Sequence, residues 1–363
     1  MNAASSAASP AHRPLRVGLI GYGLAGAVFH APLIATTDGL VLDTVVTSSP
    51  ERQRQARAEH GDRLHTAANA DELFARAGEL DLVVIASPNR THVELATRAL
   101  DSGLAVVVDK PIAGTAAEAD ALADLADRRG LLLSVFQNRR WDNDFLTLRA
   151  LLHEGALGEV WRFESRFERW RPKPKGGWRE SGDPAEIGGL LYDLGSHLVD
   201  QALTLFGPAT SVYAESDVRR PGAEADDDTF IALAHASGVR SHLWMSATAA
   251  GLGPRFRVLG SRAAYVKYGL DPQEDALRDG ARPEPGTPWG VEPESSWGAL
   301  GSLEDTRPVP SRDGDYPAYY AAIAAALRGG TPPPVTARQA ADALRVLEAA
   351  RTSAAESRTV RLD

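Results

Sequence analysis

Cysteine is absent from this chain, which excludes disulfides, zinc-thiolate centres and thiol nucleophiles together. Lysine is scarce: it stands only at positions 110, 173, 175 and 267, and arginine supplies the other 35 of the 39 basic residues. Where lysine does occur, a need for lysine itself is expected. No stretch approaches the roughly 20 apolar residues of a membrane span, so no membrane partner is expected. The opening residues, Met1 to Pro14, are rich in Ala and Ser and lack the charged start and apolar run of a secretory signal. Positive charge is in deficit, with a formal net charge of -9. A polyanion such as DNA is repelled in general terms, and nucleic acid is set aside as a partner.

What is present is globular usage, 44% hydrophobic and 24% charged over 363 residues, more than one hydrophobic core usually organises. We expect a disordered leader over 1–14, one domain over 15–140 and a second over 141–363. In the first, short β-rich apolar runs (16–20, 40–47, 81–86, 105–109 and 131–136) alternate with amphipathic helical patterns, the signature of βαβ units and a parallel sheet. The punctuation agrees with that reading. Ser49-Pro50 opens a helix, Thr91 with Glu94 and Thr115 with Glu118 have capping-box spacing, and Gly61, Gly103 and Gly130 stand where helices should stop. After Trp141 the texture changes: 161–167 alternates apolar and charged residues, as do stretches between Thr210 and Lys267. The fold class is therefore α/β, a doubly wound parallel Rossmann sheet followed by an α+β domain with a large, mostly antiparallel open sheet. One helix is expected over 189–206, a long loop or flap over 270–314, and two Ala-rich helices over 317–328 and 336–353, the last of them long enough to pack back on the first domain.

Gly21-Tyr22-Gly23-Leu24-Ala25-Gly26 follows the first strand and opens a helix, the context that the GxGxxG dinucleotide fingerprint requires. Glycines allow a tight turn and close backbone approach, and the helix N-terminus faces the pyrophosphate. An NAD enzyme should show an acidic residue at the tip of the second strand; here that tip reads Thr47-Ser48-Ser49, with Arg52 and Arg54 in the following helical turn. Small hydroxyls and arginines suit a 2'-phosphate, so NADP is expected over NAD. The alternatives are that Ser49 is only an N-cap, that the arginines are a solvated face, and that Asp43 or Glu51 meets the ribose. Asp109-Lys110-Pro111 closes the strand at 105–109, the edge where parallel sheets place ligands, and Lys110 supplies a compact ammonium. Asp193 and His197 are four residues apart on one predicted helix face: a base with its orienting partner, a metal half-site, or a salt bridge. No third ligand is spaced to complete a metal site, and none is expected.

In combination, GYGLAGAVFHAPLI at 21–34, ASPNRTHVELA at 86–96, DKPIA at 109–113, QNRRWDNDFLTL at 137–148 and YDLGSHLVDQAL at 192–203 resemble the glucose-fructose oxidoreductase, inositol dehydrogenase and rhizopine-catabolism (Gfo/Idh/MocA) family. The resemblance implies that Lys110, Asp193 and His197 form the catalytic set, with Asp109 in place of the usual glutamate. It further implies that Ser87, Pro88, Asn89, His92 and Asp109 line the cofactor, that Gln137 and Asn138 lie near the nicotinamide, and that Trp178-Arg179 reaches it from the second domain. FHAPLI with QNRRWDNDF is most like the NADP-preferring scyllo-inositol dehydrogenase branch.

The expected activity is therefore hydride exchange between NADP and a secondary alcohol of a cyclitol or sugar, with His197 taking the hydroxyl proton, Asp193 orienting it and Lys110 stabilising the alkoxide. Which of His197 and Lys110 is the formal base is left open. An aldose or keto-sugar dehydrogenase and a catalytically silent NADP/sugar sensor are the alternatives. Arg139, Arg140, Trp141, Asp142 and Tyr192 adjoin these segments and are the expected contacts to a polyhydroxylated substrate, with inter-domain ion pairing the competing role for the arginines. Arg162, Glu164, Arg166 and Glu168 should make cross-strand pairs or a subunit interface. A cytoplasmic homodimer or homotetramer is expected.

Overall fold

The computed structural model describes residues 13–284 and 286–362. The expected leader lies outside the described residues except for Arg13 and Pro14, and Arg13 is held by a paired contact to Asp81 at 2.8 and 2.7 Å. In chain order the first domain contains β1 (Leu15–Ile20), α1 (Ala31–Thr36), β2 (Leu40–Val46), α2 (Pro50–His60), β3 (His65–Ala67), α3 (Ala70–Phe74), β4 (Leu82–Ile85), α4 (His92–Asp101), β5 (Ala105–Asp109), α5 (Ala116–Arg129) and β6 (Leu133–Phe136). These strands form one parallel sheet in the order β3-β2-β1-β4-β5-β6. Helices cover both faces, which is why β4 and most of β5 read as unbroken apolar runs rather than alternating ones.

Then follow α6 (Asn143–His153), β7 (Val160–Glu168), α7 (Leu190–Asp193), α8 (Gly195–Phe206), β8 (Ala209–Asp217), β9 (Asp228–His235), β10 (Arg240–Ser246), β11 (Phe256–Gly260) and β12 (Ala264–Lys267). The chain ends with α9 (Gln273–Arg278), β13 (Gly298–Gly301), β14 (Thr306–Val309), α10 (Pro317–Leu327), α11 (Ala337–Glu356) and β15 (Val360–Arg361). The second sheet has nine strands, all antiparallel neighbours except the parallel pair β7 and β10. Its inner face is apolar and packs on α8 and α11; on the other, Glu164 meets Arg166 at 3.1 Å and its cross-strand neighbour Arg257 at 2.9 Å.

Local signals explain most boundaries. Ser49 caps α2, and Thr115 with Glu118 closes a reciprocal capping box on α5. Thr91 does not cap α4 with its side chain: its hydroxyl turns back to Pro88 O and Ser87 Oγ, which compete for it locally. The 270–314 segment is not a featureless flap, because α9 and two further antiparallel strands are built from it. Lastly, the helix over 189–206 is two helices that break at Leu194.

The domains are joined by polar contacts, one pair of them buried. Arg140, just beyond β6, makes a bidentate pair with Asp200 of α8 at 2.8 and 2.7 Å, both side chains being buried. α11 lies along α5, where Ala116 N donates to Glu348 and Arg338 and Arg345 reach Asp120. Asp200→Ala strands a buried guanidinium and should cost about 3–5 kcal/mol of stability. The double replacement Arg140→Met with Asp200→Leu should cost less than Asp200→Ala alone; denaturant unfolding of the two variants checks this, and the reverse order would show that the pair is not the source of the loss.

Candidate active site

The carboxyl end of the first sheet and the amino end of α8 meet around one ion pair. Lys110 follows β5 directly, and its ammonium crosses to the second domain, donating to Asp193 Oδ1 at 2.9 Å and to the Asp193 main-chain oxygen at 2.6 Å. Asp193 is the last residue of α7, a single turn whose start is fixed from outside. Asp226 accepts from Leu191 N at 2.7 Å, and a Cβ on Gly189, whose φ is 95°, would fall 1.9 Å from Asp226 Oδ1. Only glycine fits there. Burial opposes the charge on Asp193, but the Lys110 ammonium outweighs it, with Arg179 and Arg169 in support, and holds the carboxyl at about 2.

His197 stands in the first turn of α8. Its Nδ1 is 3.0 Å from Gln137 Oε1 in the loop after β6. That oxygen only accepts, so Nδ1 carries the proton and Nε2 presents a lone pair. The four-residue spacing does not bring Asp193 and His197 together as base and orienter: the break at Leu194 turns Asp193 to Lys110, while the carboxamide of Gln137 orients the imidazole. Burial, then Lys110, Arg139, Arg255 and Arg169, push His197 well below its ordinary 6.5. Among the described residues, no cluster of three His, Asp or Glu is placed to hold a metal ion.

The fingerprint turn fits a dinucleotide. Gly21 has φ 101°, and a Cβ there would lie 2.5 Å from Ala86 O; a Cβ on Gly26 would lie 1.9 Å from Gly21 O. Gly23 is open, with Arg52 Nη1 alone 4.0 Å from where its Cβ would stand. Leu24 and Ala25 open the helical segment that follows the turn, with Leu24 exposed. Tyr22 contributes backbone only, since its ring is buried and its hydroxyl donates to Glu59 at 2.8 Å. At the second strand tip Ser48 is exposed, and Ser49 Oγ accepts from Arg52 N. Asp43, the alternative ribose ligand, is engaged by Arg16 at 2.8 Å. Ser87, Pro88 and Asn89 form the turn after β4, beside Gly21.

Several expected contacts lie elsewhere. His92 does not face the cofactor cleft: it is buried, with its ring nitrogens at Pro111 O (2.7 Å) and Ser87 O (2.9 Å), so it ties the two ligand-side loops together from beneath. Asp109 is half-buried next to His30, its Oδ1 accepting from Lys110 N at 2.8 Å. Asp142 is not open to a substrate, because it accepts from Tyr316 at 2.8 Å and lies against Arg139. Arg139 is itself paired with Glu274, and Arg140 serves the domain junction. Trp141 packs edge-on against Tyr319, and Tyr192 packs under Arg351 and lines a separate cavity of about 350 Å³ between α7 and α11. The loop that holds 139–142 lies against α8 and α9, and Asp200, Glu274 and Tyr316 engage its polar side chains there. Trp178 and Arg179 are brought in: Arg179 stacks on Trp178 and lies 3.8 Å from Asp193 Oδ1. Arg169, Arg255 and Glu274 were missed. Arg169 had a readable signal, since it continues the inward parity of Phe163, Ser165 and Phe167 along β7.

The depressed imidazole has a consequence for stability. Unfolding restores His197 to about 6.5, so below that pH the unfolded chain binds the extra proton and stability falls as pH drops. Thermal unfolding followed from about pH 8 to about pH 5 should show a shallower loss in His197→Gln than in the wild type; equal slopes would contradict the assignment.

Residues 15–137 match the oxidoreductase family's NAD-binding Rossmann fold, and residues 149–362 match its C-terminal alpha/beta domain. The chain is 45% identical over 338 residues to the uncharacterized oxidoreductase YdgJ of Escherichia coli (strain K12), covering 92% of this chain and 94% of that one. It is 37% identical over 353 residues to the scyllo-inositol 2-dehydrogenase (NADP(+)) IolW of Bacillus subtilis (strain 168), covering 96% of each. The structure of the Bacillus subtilis protein yvaA superimposes with a TM-score of 0.89 at 35% identity, over 96% of this chain and 100% of that one. With both domains matched in order, the chain belongs to the Gfo/Idh/MocA oxidoreductase family.

Proposed function

We propose that this oxidoreductase is an NADP-dependent dehydrogenase/reductase acting on a secondary alcohol of a cyclitol or sugar, with scyllo-inositol and its inosose as the type pair. The observation that carries the reading is the juxtaposition of a paired ammonium, Lys110, and a neutral imidazole, His197, at the ligand-side edge of a sheet whose first turn is a dinucleotide cradle. A nicotinamide bound at that edge would supply the hydride acceptor or donor. His197 Nε2 takes the hydroxyl proton in the oxidative direction, a role suited to an imidazole that is neutral at pH 7 and whose tautomer Gln137 fixes. Lys110 stabilises the developing oxyanion, and Asp193 aims the ammonium through two hydrogen bonds. Preference for NADP is supported by Arg52 beside Gly23, by the engagement of Asp43 elsewhere, and by the NADP(+) in the name of IolW.

The experiment is initial rate with NADP and with NAD against inositols, aldoses and uronates, following reduced nicotinamide. Turnover of an inositol with NADP is expected; turnover of aldoses alone would move the assignment to a sugar dehydrogenase, and cofactor binding with no turnover would contradict the reading. In parallel, Arg52→Gln should weaken NADP binding about tenfold to a hundredfold, the loss of one or two charge-assisted hydrogen bonds, and leave NAD binding nearly unchanged. Equal weakening of both cofactors would remove Arg52 from 2'-phosphate recognition.

A further inference from the structure

Of the four cations that press on His197, one guanidinium has no ion pair among the described residues. Lys110 is taken by Asp193, Arg139 by Glu274 and Asp142, and Arg255 by Asp144 at 3.1 Å, Ser165 at 2.6 Å and Gln201 at 2.8 Å. Arg169 has no such partner among the described residues, although it is half-buried and near enough to influence both Asp193 and His197. Its backbone is fixed, with N donating to Ser246 O at 2.8 Å and O accepting from Ala249 N at 3.1 Å. Strand parity then sends the side chain to the inner face, beyond Phe167, whose ring lies 6.5 Å from that of His197. Burial, and next the neighbouring Arg171, press against its charge, while Asp193 and Glu274 favour it from beyond ion-pair distance. A half-buried guanidinium that no carboxylate engages directly keeps its donors available to an anionic ligand.

The surrounding sequence points the same way. In a chain of net charge -9, residues 169–179 carry Arg169, Arg171, Lys173, Lys175 and Arg179 and no acid, using two of the four lysines. Glu180, the next carboxylate, is occupied by the backbone of Lys175 and Gly176 and by Arg220. This basic segment runs from Arg169 to Arg179, which touches Asp193, so it borders the reacting end of the site and not the Arg52 end. A local positive field of this kind draws in anions, and a guanidinium fork matches the oxygens of a carboxylate or phosphate.

We infer that Arg169 is a substrate-binding residue and that the substrate it receives is a polyhydroxylated anion, a sugar or cyclitol carrying a carboxylate or a phosphate; this rests on the dehydrogenase reading of the same site. The test is calorimetric titration of the NADP complex with two matched pairs, glucuronate against glucose and myo-inositol 1-phosphate against myo-inositol. In the wild type at least one anion should bind about tenfold or more tightly than its neutral counterpart, and the pair that shows the preference separates carboxylate from phosphate. Arg169→Gln should reduce the preference to about twofold or less while leaving NADP affinity unchanged, which also reports that the variant is folded; Arg169→Lys should retain part of it. Absence of any preference in the wild type, or its survival in Arg169→Gln, overturns the inference. Hydride transfer measured on the same ligands separates the two claims. An Arg169-dependent anion preference without turnover would uphold the binding site and defeat the dehydrogenase reading, whereas turnover of neutral polyols without a preference would do the opposite.

Discussion

The contact between Lys110 and Asp193 is the constraint around which the two domains are arranged. One partner directly follows the fifth strand of the parallel sheet, and the other ends a single helical turn in the second domain. Lys110 Nζ meets both a side-chain and a main-chain oxygen of Asp193, so the contact fixes the position of α7 as well as the charge. Asp226 and Gly189 support that turn from behind, and Arg140 with Asp200 locks α8 to the loop after β6. The ammonium is therefore held by a carboxylate that cannot swing away.

The same arrangement sets the state of His197. An imidazole flanked by Lys110, Arg139, Arg255 and Arg169 in a buried pocket is kept neutral, with its proton on the nitrogen that faces Gln137. Paired with Asp193 instead, the imidazole would have been pulled towards the charged form and lost as a base. Separating the carboxylate from the imidazole by a helix break gives each cationic or basic group its own orienter: Asp193 for Lys110, Gln137 for His197. One fold thus keeps a carboxylate-paired ammonium and a neutral imidazole side by side.

Much of this was legible in the residues. The fingerprint was readable because its glycines answer to hard contacts, a carbonyl 2.5 Å from a would-be Cβ being independent of the rest of the fold. Lys110 was readable because a strand end on the ligand side is a defined place and lysine is scarce. The relation of Asp193 to His197 was not, since spacing cannot announce a break at Leu194, between a turn held by Asp226 and a Gly195 that lies against Met245 and Leu347. Residues 139–142 look like donors and acceptors awaiting a substrate, but Glu274, Asp200 and Tyr316, distant in sequence, complete them. Arg169 was overlooked for a related reason: the even-numbered charges of β7 drew attention to the outer face, while the inward parity runs one residue past the strand's end. The 270–314 segment shows the limit of composition, because Pro and Gly mark turns without saying that short edge strands lie between them.

The most direct test of the central claim is a single-turnover measurement of hydride transfer in Lys110→Met, using whichever substrate the wild type oxidises and monitoring NADPH binding in the same samples. If the ammonium stabilises the oxyanion, the transfer rate falls by about a hundredfold or more while NADPH affinity stays within about twofold of the wild type. A transfer rate equal to that of the wild type, with the cofactor bound, would remove Lys110 from the chemistry and contradict the account.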